Sequence, residues 1–440
     1  MCGRALRVPL VPRDRLPLEN LQVPAGAGQR DHALHRQPIA LRAPDRRGFS
    51  YHCRTMRPSV FVLSACLVAL CGTFPSSKAA GTFSAVAVLT VPGGGIQPQA
   101  VVDGKGIIHL VYFTGDPSGG DLYYVQLSDH QERISDPVRV NSIAGSALAT
   151  GSVRGAQLAL GRNGRVHVAW HGSKPLAADD PAHVPVWYAR SAAGAREFEP
   201  QRAVSGKAEG LDGASVAADT SGHVIVAWHA MGDRPGEGNR TVYLARSSDD
   251  GAAFSASVPA TAAPVGACGC CGLRALFDRT GALHILYRAA TDGKQRDTTW
   301  LMIDGGATRT PVRVHGWELE ACPMSTYALA ETADGVAAAW ETAQQIYSAD
   351  LNPASGSVSA PAAVPGEGSR KHPSIAVNKA GDRLIAWNEG TAWKRGGTIA
   401  WRLTDRNGAE LSADPNAGVV PVWGLVSAVA LPDGSFVIFR

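Results

Sequence analysis

The sequence is poor in charged and aromatic residues and contains no pattern for a long helix. Charged residues make up 18% and aromatic residues 7% of its 440 residues, whereas glycine and proline number 49 and 28. Its longest apolar run, Val60–Cys71, is too short to span a bilayer. This composition is that of a globular protein rather than a disordered or membrane protein, and it favours short elements joined by many turns.

The chain also lacks a basic surface and the common cofactor motifs. Its formal net charge of +4 comes from the first 55 residues, which contain ten arginines, no lysine and four acids, while residues 81–440 are slightly acidic. We therefore predict no nucleic-acid partner. No phosphate loop, dinucleotide fingerprint or nucleophile elbow is present, so no cofactor is predicted.

The N-terminal segments differ from the rest of the chain. Residues 1–55 show no periodicity and are predicted to be a mis-assigned or disordered extension, with a genuine basic arm as the alternative. Residues 56–80 have the basic start, apolar centre and small-residue end of a signal peptide. We predict export to the periplasm or medium without a transmembrane span. Leu63–Cys66 also resembles a lipoprotein acylation box, which leaves a lipid anchor as an alternative.

A repeat fills the chain after residue 95. Each unit is an apolar strand, a turn with Asp-Gly, Asn-Gly or another glycine, and an alternating strand that ends in an aromatic residue. The closing aromatics are Tyr112, Trp170, Trp228, Tyr287, Trp340, Trp387 and Phe439. Units of about fifty residues with about four short strands each are typical of a β-propeller. We predict that residues 81–440 form one all-β, monomeric propeller.

Seven hairpins favour seven blades, with six blades as the alternative. The last hairpin ends at Phe439, which leaves no room for outer strands in its own blade. The N-terminal run Phe83–Val91 is therefore predicted to complete that blade and close the ring, which removes exposed sheet edges.

One turn carries a family resemblance. Ser247–Phe254 reads Ser-Ser-Asp-Asp-Gly-Ala-Ala-Phe and resembles the Asp-box of BNR-repeat, sialidase-like propellers. The resemblance implies a sialidase-like propeller in which the box is a folding device, since its Ser and Asp side chains satisfy turn amides. Sialidases of this family bind a substrate carboxylate through arginines, one of them in a motif near the first blade. The corresponding segment Val91–Ile96 has no arginine, so no catalytic residue is carried over by motif.

Polar residues recur directly after the closing aromatics. The positions that follow in five units are His171, His229, Arg288, Glu341 and Asn388. In a propeller these strand ends lie on the face that also receives the segments before each first strand, which contain Arg154, Asp212, His372 and Trp423. We predict ligand-binding roles for His171, His229, Asn388, Arg154, Asp212, His372 and Trp317. The alternative is that strand ends on this face are simply polar.

Acidic residues on this face suit glycoside chemistry. Glu318 and Glu320 flank Trp317, and Glu341 follows in the next unit. Glycosidases use paired carboxyl groups or a tyrosine nucleophile, and an aromatic side chain suits a sugar face. We therefore name Glu341, Glu318 and Glu320 as acid or base candidates and Arg288 as a candidate for an anionic group of the substrate. A solvated loop is the alternative.

The cysteines of the predicted mature chain also lie on this face. They are Cys268, Cys270, Cys271 and Cys322, with Met324 close to the last. Export favours disulfides among these four, whose pairing the sequence leaves open. The alternatives are a soft-metal site for Cu(I) or Zn(II), made from these thiolates and Met324, or free thiols.

Three hypotheses follow for function. The first is an exported propeller that binds or hydrolyses glycans, including sialic-acid-type glycosides, in a central pocket. The second is a non-enzymatic binding or scaffolding propeller with disulfide-stapled loops, and the third is a periplasmic protein that binds copper or zinc.

Overall fold

The structure, a computed structural model, describes residues 85–440 except 152–154, 175–183, 193–195, 207–212, 233 and 262–265. The described residues form seven sheets with short 3₁₀ turns at Pro92–Gly94, Arg162–Gly164 and Glu237–Asn239. The predicted extension 1–55 and signal peptide 56–80 lie outside this part. Within the described residues, no helix has the length and hydrophobicity that crossing a membrane would need.

The strands are numbered along the chain and grouped into blades. After β1 (Val86–Leu89), blade 1 holds β2 (Ile96–Val102), β3 (Ile108–Thr114), β4 (Asp121–Leu127) and β5 (Val138–Arg139). Blade 2 holds β6 (Gln157–Leu160), β7 (Val166–His171), β8 (Val186–Arg190) and β9 (Arg202–Ala203). Blade 3 holds β10 (Ser215–Ala218), β11 (Val224–Ala230), β12 (Thr241–Ser247) and β13 (Val258–Pro259).

The later blades continue the same order. Blade 4 holds β14 (Arg274–Phe277), β15 (Leu283–Arg288), β16 (Thr298–Asp304), β17 (Ala307–Thr308) and β18 (Val312–His315). Blade 5 holds β19 (Tyr327–Glu331), β20 (Val336–Thr342), β21 (Gln345–Asn352), β22 (Ser357–Val358) and β23 (Ala362–Ala363). Blade 6 holds β24 (Arg370–Val377), β25 (Arg383–Glu389), β26 (Gly397–Thr404), β27 (Glu410–Asp414) and β28 (Val419–Val420). Blade 7 holds β29 (Ser427–Ala430) and β30 (Phe436–Phe439), to which β1 is added.

The hairpin turns between the first two strands explain the regularity of the blades. In blade 1 the Asp103 carboxylate accepts hydrogen bonds from the backbone N–H groups of Lys105 and Ile107, at 2.8 and 2.9 Å. Asp278 makes the same turn in blade 4. Gly106, with a φ of 86°, takes the left-handed conformation that ends the blade 1 turn. Local side-chain bonds and glycine therefore set the hairpin register.

The seven sheets form a closed ring. The first strand of each blade packs against the first strand of the next, from β2 through β6, β10, β14, β19 and β24 to β29, and β29 packs against β2. Serine hydroxyls bridge some of these strands: Ser215 accepts from the backbone N–H of Ala275, and Ser427 accepts from that of Ala100, each at 3.0 Å. The predicted all-β propeller with seven blades is confirmed.

Strand β1 closes the ring as the sequence predicts. It pairs with β30 in parallel, with Val86 opposite Phe436 and Leu89 opposite Phe439. The backbone N–H of Val91 continues the ladder by donating to the Arg440 carbonyl at 2.9 Å. The N-terminal and C-terminal ends of the propeller thus share one sheet, and the outer edge of β30 is covered.

The core lies between neighbouring blades, as expected for aromatic residues that close alternating strands. Trp170, Trp228, Tyr287 and Trp340 are each at most 1% exposed. Because side chains alternate along a strand, the residue after each aromatic points to the opposite side of its sheet. This alternation brings the strand-end polar residues to the face described next.

Candidate functional site

A polar channel runs through the ring and holds a positive charge. It has a volume of about 570 Å³ and is lined by the first strands of the blades. Arg274, from blade 4, reaches the opposite side of the channel, where its Nη1 donates to Gln99 Oε1 at 2.9 Å and to the side-chain oxygen of Gln157. Burial lowers the pKa of Arg274 to about 10. Arg274 forms no ion pair with any residue that the structure describes, and its guanidinium contacts the side-chain amides of Gln99 and Gln157.

Two tryptophans meet at one mouth of this channel. Trp393, between β25 and β26, is 53% exposed, and its ring centroid lies 6.1 Å from that of Trp423, with the planes at 67°. The Trp393 ring also reaches Gly151 of blade 2, where a Cβ would lie only 3.2 Å from it. Gln97 Nε2 hydrogen-bonds to the carbonyl oxygens of Gly151 and Trp423, at 3.2 and 3.0 Å. Loops from distant parts of the sequence therefore converge here.

A small cavity of about 40 Å³ lies beside the two tryptophans. Its lining comprises Met324, Lys371, His372, Thr391, Ala392, Trp393, Arg395, Trp423 and Gly424. Trp423 Nε1 and Thr391 Oγ1 are buried and have no hydrogen-bond partner among the described residues. Buried polar groups are normally satisfied, so these two atoms mark a place where a ligand or water supplies the missing bonds. No carboxylate is among the described residues that line it.

The strand-end polar residues are buried and several bind the neighbouring blade. His171, His229, Arg288, Glu341 and Asn388 are each at most 3% exposed. His171 Nε2 accepts a hydrogen bond from the backbone N–H of Ala214 at 2.9 Å, and Asn388 Nδ2 donates to the Gly424 carbonyl at 2.8 Å. These side chains are therefore buried inside the protein, and several of them connect consecutive blades.

Arg288 and Glu341 form the most deeply buried charged pair on this face. Arg288 Nη2 donates to the Glu341 backbone carbonyl at 2.5 Å and lies 4.0 Å from its Oε2. The Glu341 carboxylate accepts from the Ser325 hydroxyl at 2.7 Å and from the Gln344 backbone N–H at 2.6 Å. The Arg288 guanidinium also lies 5.0 Å from the centroid of the Trp317 ring. Both charges are therefore enclosed by protein groups.

Three cysteines gather next to Arg288. The Cys268 and Cys270 Sγ atoms are 3.3 Å apart, and Cys271 Sγ lies 3.5 Å from Cys268 Sγ. All three sulfur atoms lie within 4.8 Å of one another, and none is in a disulfide. Cys268 and Cys271 are fully buried, whereas Cys270 is half-buried. Cys322 is exposed and does not belong to this group.

The electrostatic surroundings separate the three thiols. Burial works against charge on Cys271, but its hydrogen bonds with Cys268 and Cys270 and the charge of Arg288 hold its pKa well below the usual range. The bond to Cys270 lowers the pKa of Cys268, but the bond to Cys271 and burial outweigh it, so that pKa is raised. The pKa of Cys270 is raised mainly through its bonds to Cys268 and Cys271. Burial opposes the charge of Arg288 as well, yet Tyr327, Cys271 and Glu341 raise its pKa. The three cysteines thus favour one thiolate, at Cys271, beside the guanidinium of Arg288.

The remaining candidate residues are dispersed. Glu318 and Glu320 are exposed, and Glu320 pairs with Lys294. Trp317 covers Arg288 instead of standing free. Of the segments before the first strands, Arg154 and Asp212 lie outside the described residues, whereas His372 lines the tryptophan cavity. Of the acid or base candidates, only Glu341 is therefore in contact with Arg288.

Several residues of this face were not predicted from the sequence. Arg274 occupies the start of a first strand, and Trp393 and Thr391 lie in the loop between β25 and β26. The sequence did contain a signal for Arg274, because other blades have serine or glutamine at the equivalent position. Trp393 gives no such signal, because its position over the channel depends on the closed ring.

The fold defines the class of the protein. It is a seven-bladed propeller with a polar channel and, on one face, a cluster of the three cysteines Cys268, Cys270 and Cys271. No family model and no curated protein matches the sequence.

Solved structures with similar folds are known. They include a Penicillium chrysogenum α-L-arabinanase complexed with arabinobiose (13% identity, 73% of this chain and 96% of that chain, TM-score 0.47). A microbial sialidase, Hadza Hz136, is 16% identical over 70% and 68% of the two chains, with a TM-score of 0.42. Leech intramolecular trans-sialidase is 10% identical over 78% and 86%, with a TM-score of 0.43. At these values the similarities carry no inference about activity or ligand.

Proposed function

We propose that this chain is an exported, monomeric carbohydrate-binding propeller that holds its ligand at the tryptophan-lined mouth of the channel. The observation that carries this proposal is the exposed Trp393 ring beside Trp423, with two buried polar atoms that lack partners. Aromatic rings pack on the C–H faces of sugars, and hydroxyl groups of a sugar supply hydrogen bonds to N–H and O–H groups.

The charges near this mouth favour acidic sugars. Lys371 and Arg395 line the cavity, and the part of its lining that the structure describes contains no carboxylate. Arg274 places a further positive charge in the channel behind. A sugar that carries a carboxylate, such as a sialic acid or a uronic acid, meets a complementary potential here. Neutral sugars gain only the stacking contribution.

Binding is better supported than hydrolysis. A glycosidase of the usual kind needs two carboxyl groups or a tyrosine beside the scissile bond. Glu341 is 1% exposed and its carboxylate is occupied by Ser325 and Gln344, while Glu318 and Glu320 are not in contact with Arg288. We therefore assign Arg288 and Glu341 to the support of the face rather than to contact with a substrate.

Tryptophan fluorescence offers a direct test. The full chain is titrated with N-acetylneuraminic acid, glucuronic acid and arabinobiose, and saturable quenching is expected to be stronger for the two acids. Trp393→Ala should weaken binding at least about tenfold, because a stacking contact contributes about 1.5 kcal/mol. Trp393→Phe keeps an aromatic ring and should retain most of the affinity.

Two further measurements separate binding from catalysis. A fluorogenic sialoside should release no fluorophore during prolonged incubation with the protein. Thermal unfolding of both variants should match that of the parent chain, because Trp393 is exposed. Absence of saturable binding for all three sugars, or equal affinity of Trp393→Ala and the parent, contradicts the proposal.

A further inference from the structure

Three thiols of one short segment converge at the propeller face without forming a disulfide. Cys268, Cys270 and Cys271 lie within four consecutive residues, and their sulfur atoms are mutually within 4.8 Å. We propose that this group is a binding site for a single soft d¹⁰ metal ion, Cu(I) or Zn(II), with the three thiolates as ligands. None of its ligands lines the cavity beside the two tryptophans, and the inference goes beyond the function proposed above.

The sulfur geometry suits such an ion. Metal–sulfur bonds of about 2.3 Å place thiolates roughly 3.8–4.0 Å apart in tetrahedral or trigonal sites. Cys268 Sγ lies 3.3 Å from Cys270 Sγ and 3.5 Å from Cys271 Sγ, and all three sulfur atoms are within 4.8 Å of one another. Small side-chain rotations would therefore open the group around an ion. Thiolate ligands select soft ions such as Cu(I) and Zn(II) over hard ions such as Mg²⁺ or Ca²⁺.

The backbone around the thiols is held in place by the neighbouring strands. The Cys268 N–H donates to the Arg288 carbonyl at 2.9 Å, and the Cys271 N–H donates to the Cys268 carbonyl at 3.2 Å. Gly272 then bonds to Ser325 of the next blade at 2.8 Å. A segment anchored at both ends presents its sulfur atoms without a large loss of chain entropy on binding.

Charge balance also supports a metal. Three thiolates with Zn(II) carry a net charge of −1, and with Cu(I) a net charge of −2. Arg288 is fully buried, and its charge interacts with Cys271 and Cys268. Its guanidinium offsets one negative charge of the loaded site. Binding is accompanied by loss of the thiol protons to solvent, as required for thiolate ligation.

A disulfide accounts less well for the same residues. One bond between two of these cysteines would leave the third thiol of the group without a partner in it. The remaining cysteine in the described part of the chain, Cys322, is exposed and outside the group. Cys270 is the partly accessible member and provides the route by which an ion reaches the two buried sulfur atoms.

Metal titration of the reduced full chain tests the site. Under anaerobic conditions, Cu(I) is added in competition with a chromophoric Cu(I) chelator, and Zn(II) is added in competition with a zinc indicator. We expect one ion per chain and the release of protons, with the two arms of the experiment identifying the preferred ion. Cys270→Ser should lower the affinity at least tenfold, and Cys271→Ser should lower it further.

Cys322→Ser serves as the matched control, because it removes an exposed thiol outside the group and should leave metal affinity unchanged. Circular dichroism checks that each variant is folded. If Cys271→Ser unfolds, Cys270→Ser still tests the proposal, because it alters a partly exposed side chain. Carbohydrate binding by Cys270→Ser should be unchanged, which distinguishes failure of this proposal from failure of the proposed function. Equal metal affinity of Cys270→Ser and the parent, or no uptake of either ion by the reduced chain, overturns the proposal.

Discussion

Asp250 of blade 3 directs its carboxylate at His167 of blade 2, with Oδ1 3.4 Å from His167 Nε2. The other oxygen accepts from Arg165 Nε at 2.6 Å. Asp250 lies in the Asp-box-like turn Ser247–Phe254, in which Ser247 Oγ accepts from the Gly251 N–H at 2.9 Å. The turn thus does more than connect two strands: it brings a buried anion to the neighbouring blade.

Asp250→Ala should destabilise the propeller by about 3 kcal/mol, because it leaves the half-buried Arg165 and the buried His167 without their common partner. The loss is measured as a lower midpoint in urea unfolding. Asp136→Ala is the control, since the Asp136 side chain is 95% exposed and its ion pair with Arg133 is at the surface. That variant should change stability by less than about 0.5 kcal/mol. Equal effects of the two substitutions would contradict an inter-blade role for Asp250.

Buried histidines should make the fold sensitive to mild acid. Burial is the main cause that lowers the pKa of His167 to about 4 and that of His372 to about 3. The unfolded chain, in which histidine has a pKa of about 6.5, binds these protons first. Stability is therefore complete above pH 6.5 and is lost as the pH falls from about 6.5 towards 4.

The pH effect can be measured as the unfolding midpoint in urea between pH 8 and pH 4. His167→Gln removes one titrating group and should flatten the curve below pH 6.5, even if it lowers stability at pH 8. The control is His130→Gln, because the His130 side chain is 87% exposed. A parent curve that is flat across this interval would refute the prediction.

We expect Arg288 to control the ionisation of the three-cysteine cluster. Arg288→Gln removes the positive charge beside Cys271 and should raise the pH at which the thiolate absorbance of the metal-free chain appears. Arg288→Lys retains the charge but loses the contacts with Trp317 and the forked hydrogen bonds, so it should cost about 2 kcal/mol while changing the thiolate titration less. The measurement is ultraviolet absorbance against pH, with thermal unfolding of each variant recorded alongside. Identical thiolate titrations for the glutamine variant and the parent would contradict this role.

The architecture was predictable because its determinants are local. Asp103 and Asp278 each fix a hairpin through bonds to amides two and four residues later. Alternation places an aromatic residue such as Trp170 or Trp228 between blades in every unit.

The site was less predictable because it depends on contacts between distant segments. The alternation of side chains along a strand correctly predicts that His171 and Asn388 point away from the aromatic residues before them. It does not reveal that the next blade covers both side chains. The spacing of Cys268, Cys270 and Cys271 is visible in the sequence, whereas the exclusion of Cys322 depends on the path of the loop before β19. Trp393 reaches Gly151 only when the ring is closed.

Arg274 should contribute little to stability although it is central to the channel. Within the described part of the chain its guanidinium contacts the amide oxygens of Gln99 and Gln157 and forms no ion pair, and removing a charge from water without a carboxylate partner is unfavourable. Arg274→Gln should therefore leave the free energy of unfolding unchanged or raise it by about 1 kcal/mol, as measured in urea. The same variant should weaken the binding of acidic sugars more than that of arabinobiose. Ser374→Ala, on the channel wall of blade 6, is the control for a change in polarity without a change in charge. A loss of more than about 2 kcal/mol in Arg274→Gln would show instead that the arginine holds the ring together.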